Sequence, residues 1–164
     1  LSYGGGIFSL IPEVQQTIPA IYLGNDLDHA VQELEKILAS PYSPNRASTI
    51  SKSLQEMANG FLEKRPEIDQ IVNMLMKESG VPVEFLSEAN SHFGNDIYAA
   101  LKLGNPAFLN KDVHWIKNLL HHRGIAEILL ANYLKAYQKG IIEIMGQSAT
   151  DLIHWFDQIL QTLP

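Results

Sequence analysis

Apolar residues recur at helical spacing through nearly the whole chain, and no convincing alternating strand interrupts them. The glycines Gly4–Gly6 in the opening LSYGGGIFSL predict a flexible segment over residues 1–10. Pro12 is placed to seed a short helix that meets Pro19 and stops near Gly24. Asn25 or Asp26 then caps a helix with Leu27, Val31, Leu34, Ile37 and Leu38 on one face. Ser40–Pro41 ends that helix, and PYSPN reads as a loop. A further helix is predicted from about Ala47 to Lys64, with Ile50, Leu54, Met57 and Phe61 inward. Pro66 suits the first turn of a separate helix whose buried row is Ile68, Ile71, Val72, Leu75 and Met76.

Gly80 and Pro82 divide that row from a long stripe, Phe85, Leu86, Ala89, Phe93, Ile97, Ala100 and Leu101. Gly94 lies inside this helix at a cost of roughly 1 kcal/mol relative to Ala, which a closely packed neighbour would explain. Asn105–Pro106 is an N-cap and first-turn pair for a helix bearing Phe108, Leu109, Trp115, Ile116, Leu119 and Leu120, and Arg123–Gly124 is its stop. A helix over about Ala126–Met145 uses Ile128, Leu129, Leu134, Tyr137, Ile141 and Ile144. Ser148 with Asp151 resembles a capping arrangement for a last helix carrying Leu152, Trp155, Phe156, Ile159 and Leu160. The pattern predicts an all-α fold of seven to eight helices in a single compact domain over residues 1–164, globin-like or an orthogonal bundle.

At 164 residues the chain is long enough to bury a core without disulfides or metal, and 46% of it is hydrophobic against 18% charged. That apolar balance leaves room for a ligand pocket or an oligomer interface. The net charge of −6 has the wrong sign for attraction to nucleic acid or anionic lipid, and only Lys64–Arg65 places two of the dispersed basic residues side by side. The absence of cysteine excludes thiolate catalysis, Cys-ligated zinc and iron–sulfur clusters. Apolar runs fall short of a membrane span and no signal peptide is evident, so a cytoplasmic protein with no membrane and no nucleic-acid partner is expected. The start at Leu1 suggests processing or excision from a longer chain.

Three groups of residues bear candidate chemistry. Glu88, His92 and Asp96 follow at intervals of four and share a helix face, one side of a potential metal site or a solvated polar face. His121 and His122, with Arg123, sit where a helix ends, and there cations meet the carbonyl end of the helix dipole. Their spacing from His92 is about that of the distal and proximal histidines of a globin, which makes His92, His121 and His122 the candidates for haem or another metal. A globin's Phe before the distal helix has no counterpart around Ile68–Leu75. Aromatic residues from Phe85 to Phe156 either fill a core or wall a cavity for a flat apolar ligand such as a tetrapyrrole or an acyl chain. The candidate walls are Phe93, Tyr98, Trp115 and Tyr137. No Gly-x-Ser-x-Gly elbow or phosphate loop occurs, so no catalytic residue is assigned.

The run Tyr98, Ala100–Leu101, Gly104–Asn105–Pro106, Phe108, Trp115, Leu119–Leu120 and Arg123–Gly124–Ile125 resembles a helical sensor or regulatory module of bacterial signalling and cobalamin-binding proteins. The resemblance covers roughly the C-terminal third, and its landmarks are mostly caps and core positions. The cobalamin fold's Asp-x-His-x-x-Gly loop is absent, as is any attached output domain. Related sensor domains look like globins that have lost haem. The resemblance implies a non-catalytic sensory module that binds a small apolar ligand or a protein partner and signals through helix repacking. A structural homo-oligomer with an exposed apolar stripe near Trp155–Phe156 is the alternative from a different class. A haem- or metal-binding globin-like protein is the third.

Overall fold

The computed structural model describes residues 1–4, 8, 15, 18, 20–39, 50–122, 124 and 126–163. Several expected features lie outside them: the helix seeded at Pro12, the PYSPN loop, the start of a helix at Ala47, and the side chains of Arg123 and Ile125. The described chain is all-α apart from one minimal strand pair. Where the sequence reads as one domain, its contacts gather into two compact units, Leu1–Ile50 and Ser51–Pro164.

In the first unit, β1 (Ser2–Tyr3) pairs in parallel with β2 (Ile21–Tyr22), Ser2 opposite Ile21 and Tyr3 opposite Tyr22. This pair was not legible as alternation because two residues are too few to display a period. Ile21 and Leu23 donate backbone hydrogen bonds to the carbonyls of Leu1 and Tyr3. Edge contacts among Tyr3, Phe8 and Tyr22, with centroids 4.8–6.3 Å apart, hold the pair on one side. Helix α1 (Leu27–Ala39) begins where Asp26 Oδ1 accepts from the His29 N–H at 2.9 Å, so Asp26 is the N-cap that the sequence offered alongside Asn25. The same carboxylate meets His29 Nδ1 at 2.8 Å. The hydrogen bonds from His29 hold Asp26 below the ordinary carboxylate range.

The second unit contains five α-helices: α2 (Lys52–Leu75), α3 (Val83–Lys102), α4 (Leu109–His122), α5 (Ile128–Met145) and α6 (Thr150–Leu160). The expectation of seven to eight helices is corrected chiefly at Pro66, which stands inside α2 rather than opening a new helix. An interior proline removes one backbone bond and costs about 3 kcal/mol. Burial of the same helix on both sides of it, by Met57, Ala58 and Phe61 before and Ile68 and Val72 after, offsets that cost. Ser51 caps α2 by accepting from the Leu54 N–H at 3.2 Å.

Loop chemistry follows the sequence closely elsewhere. Gly80 and Gly124 take φ of 76° and 67°, the left-handed conformation that favours glycine after a helix. Asn105 Oδ1 accepts from the Ala107 N–H at 2.9 Å, and Pro106 opens a short 3₁₀ turn, Pro106–Phe108, that runs into α4. The expected Ser148 cap is corrected: the Ser148 hydroxyl donates back to Met145 O at 2.7 Å, and α6 begins at Thr150 without a side-chain cap. A 3₁₀ turn over Gly146–Ala149 occupies that bend instead.

Helix α5 is the axis of the core, burying Leu134, Tyr137 and Ile141 between α2 and α6. Phe61 of α2 and Phe156 of α6 are fully buried in the same cluster. Each such side chain stabilises the fold by about 1.5–3 kcal/mol relative to exposure. Gly140 lets α5 approach α2: an added Cβ would lie 3.2 Å from Ile68 Cγ2 and 3.3 Å from the Ile68 carbonyl. No helix among the described residues is long and apolar enough to cross a membrane.

Candidate functional site

Helix α3 presents two different sides, and the site lies between its second side and helices α4 and α5. On the first side, Arg65 of α2 crosses onto the middle of α3. Its Nη2 donates to the carbonyls of Asn90 and Ser91 at 3.0 and 2.6 Å, and Nη1 to Asn95 Oδ1 at 2.7 Å. Gly94 leaves the room for this: a Cβ there would stand 2.3 Å from Arg65 Nε. The mid-helix glycine of the sequence therefore marks a close approach, and Arg65 is its neighbour. Asn90, 2% exposed, donates to Asn73 Oδ1 at 3.0 Å and accepts from the Tyr133 hydroxyl at 2.9 Å. Tyr137 donates to Asp69 Oδ1 at 2.8 Å, and Asp69 Oδ2 faces Arg65 Nε at 3.7 Å. Burial, with the nearby Asp69 carboxylate, pushes both tyrosine hydroxyls far above the ordinary phenol range. They act as fixed neutral donors.

On the second side is a cavity of about 210 Å³. Phe85, Leu86, Ala89 and Phe93 of α3 form one wall, Ile116 and Leu120 of α4 another, and Leu129, Leu130 and Tyr133 lie across from them. Met76 and Val81 complete the apolar lining. Phe85 is 65% exposed, which places it and the exposed His92 at the mouth. The lining is almost wholly apolar, with His92 and Asp96 as its ionisable groups besides the Tyr133 phenol, whose hydroxyl is already engaged by Asn90.

Of the four aromatic candidates, Phe93 lines this cavity. Tyr137 is fully buried beside it in the core, edge-on to Phe93 at 5.1 Å. Tyr98 is half-buried against the core cluster and outside the cavity lining. Trp115 is 64% exposed, because its face of α4 points away from the wall that Ile116 and Leu120 form. Its inward placement by period is thus corrected. Two aromatic wall residues stand outside the four candidates, Phe85 at the mouth and Tyr133, four before Tyr137 on the same helix. The signal available for Tyr133 was that i, i+4 repeat of tyrosine.

The histidines do not converge. His92 lies 3.9 Å from Glu88, both side chains well exposed, while His121 Nδ1 meets Glu127 Oε1 at 3.2 Å and His122 Nδ1 meets the Asn118 carbonyl at 2.7 Å. No three potential ligands gather to hold a metal among the described residues. Only His92 of the six lines the cavity, so no pair of axial ligands faces across it. An apolar cavity of about 150 Å³ takes a benzene-sized molecule, so the enclosed space here has room for a body of one or two small rings. The polar row splits as well: His92 and Asp96 both border the cavity, His92 at its exposed mouth beside Glu88, whereas Glu88 is outside the lining. Burial, reinforced by Asp112 of α4, raises the Asp96 carboxyl above the ordinary range, and His92 opposes that effect. Burial raises Asp112 also.

The apolar stripe expected on the last helix is buried rather than exposed. Trp155 and Phe156 pack against Phe93 at 6.4 and 6.2 Å, and Trp155 Nε1 donates to Asn110 Oδ1 at 2.7 Å. No protein-family model, curated protein or solved structure matches the chain.

Proposed function

We propose that the second unit is a regulatory binding module whose cavity between α3, α4 and α5 takes a small apolar ligand. The carrying observation is the cavity itself: about 210 Å³, lined by side chains from three helices and by very few polar groups. Concave, mostly apolar sites with a few convergent polar groups are where small molecules bind. Helix α4 is the element placed to report occupancy. It fully buries only Leu109 and Val113, near its start, and offers Ile116 and Leu120 to the ligand further on. A ligand that contacts α4 in one packing better than in another shifts the balance between them by its differential affinity.

Titration with toluene, followed through the methyl resonances of Ile116, Leu120 and Leu130, tests this reading. Saturable shifts at those methyls are expected, and they disappear in an Ala89→Phe/Leu120→Phe double variant that fills the space. Shifts that persist in the filled variant, or none in the wild-type protein, count against the assignment.

A further inference from the structure

The cavity is not symmetric in its chemistry, and the asymmetry identifies the other end of the ligand. Apolar atoms line its interior, while Asp96 stands in the lining where α3 faces α4. Asp112 of α4 lies close enough across that gap for its charge to act on Asp96. Neither carboxylate has a hydrogen bond or ion pair among the described residues. Arg65 is held on the opposite side of α3, and Lys117 reaches Glu127 at 3.5 Å. Asp96 therefore stands in an apolar lining without a hydrogen bond or ion pair of its own, and the Asp112 charge disfavours its ionised form. His92, one turn before Asp96, sits at the mouth beside Glu88 and contributes a cation only when protonated.

Building on the binding reading above, we infer that the ligand class is a small amphiphilic amine, with a ring or short alkyl body in the cavity and a protonated amine beside Asp96. The amine supplies the missing counter-charge and donates to carboxylate oxygens with free acceptor capacity. The body buries against Phe93, Ile116, Leu120 and Tyr133. A carboxylate-bearing ligand of the same shape would meet like charge there, and a neutral one would leave Asp96 unpartnered. Specificity then comes from the charge and affinity from the apolar body.

Three probes of similar shape separate the possibilities: 2-phenylethylamine, 2-phenylethanol and 3-phenylpropionate, each titrated by the same methyl resonances near neutral pH. The amine is expected to bind about tenfold or more tightly than the alcohol, the scale of one hydrogen bond to a charged group. The propionate is expected to be weakest. In Asp96→Asn the amine-to-alcohol ratio falls towards one, and in Asp112→Asn it falls part of the way. Alcohol binding equal to or tighter than amine binding overturns the amine assignment while leaving the apolar cavity reading in place. Preference for the propionate overturns it too. Failure of all three probes, and of toluene, overturns both.

Discussion

On its α2 side, α3 is fastened by directed bonds: Arg65 to two backbone carbonyls and Asn95, and Asn90 to Asn73 and Tyr133. On its α4 side the same helix meets apolar side chains across a cavity, with Asp96 in the lining and the charge of Asp112 acting on it. The difference teaches where a fold of this kind holds its geometry and where it leaves space. The fastened side has every buried polar side-chain atom satisfied among the described residues, so its helices have one arrangement with no cheap alternative. The cavity side is held by packing that a ligand can complete. Tyr133 belongs to both, its ring in the cavity wall and its hydroxyl on Asn90, and so links the cavity to the anchored network.

The largest test of that contrast removes a side chain from the fastened half. Tyr137→Ala deletes a fully buried ring packed against Phe93 and Phe156 and leaves Asp69 without its donor. A loss of about 3–5 kcal/mol in unfolding free energy is expected, read from urea denaturation. Trp115→Ala, at the exposed ring on α4, should move the same midpoint by no more than ~0.5 kcal/mol. Comparable effects from the two would erase the distinction drawn between the halves.

Gly94→Ala probes the fastening itself, with a sign that depends on Arg65. In the wild-type background the new Cβ displaces the guanidinium, so bonds to Asn90, Ser91 and Asn95 weaken. The flexible arginine recovers part of the loss, leaving a destabilisation of about 1–2 kcal/mol despite alanine's better helix propensity. In an Arg65→Ala background the same substitution should instead stabilise, by up to ~1 kcal/mol. Thermal or urea unfolding of the four proteins of this cycle measures it. A destabilising Gly94→Ala in both backgrounds would mean that the glycine serves something other than Arg65.

Much of the helical architecture was legible because caps, stops and apolar period agree. Asp26, Asn105, Gly80 and Gly124 act where their chemistry placed them, and the rows through Leu86–Leu101 and Leu134–Ile141 are buried largely as the period requires. Pro66 was misleading because proline's local preference was overridden by burial on both sides of it, which only tertiary packing reveals. The site was less legible for the same physical reason. Helical period gives a residue's face but not the distance to the next helix, so Phe93 at a cavity and Tyr137 in solid core look alike in sequence. Trp115 shows the converse limit, since a single aromatic at the margin of a stripe has its exposure decided by the crossing of α4 over its neighbours. The approach of Asp112 to Asp96 depends on how α4 is set against α3 after the Asn105–Pro106 turn, and no local motif encodes that.

The smallest effect concerns those two acids and follows from the sign of their shifts. Burial raises both carboxyls in the folded protein, and Asp112 adds to the rise at Asp96. A group with a raised folded-state value binds protons more readily when folded, so its contribution to stability is full below the unfolded value and is lost as pH rises through the folded one. The charged groups acting on Asp96 are His92 on its own helix, itself beside Glu88, and Asp112 on α4; Tyr133, on α5, stays neutral over this range. As pH rises towards neutral the carboxyls lose their protons, and Asp96→Asn then removes one member of a like-charge pair at a partly exposed position. A gain of ~0.5 kcal/mol is expected there, discounted for solvent screening. As pH falls towards about 3, the acids become neutral and the gain should vanish. Urea midpoints of the two proteins at both pH values give the difference directly, and saturating 2-phenylethylamine at neutral pH should stabilise the wild-type protein more than the variant. A gain that grows on acidification would require Asp96 to be stabilised in its charged form by a partner, and the cavity would then have no vacancy for an amine.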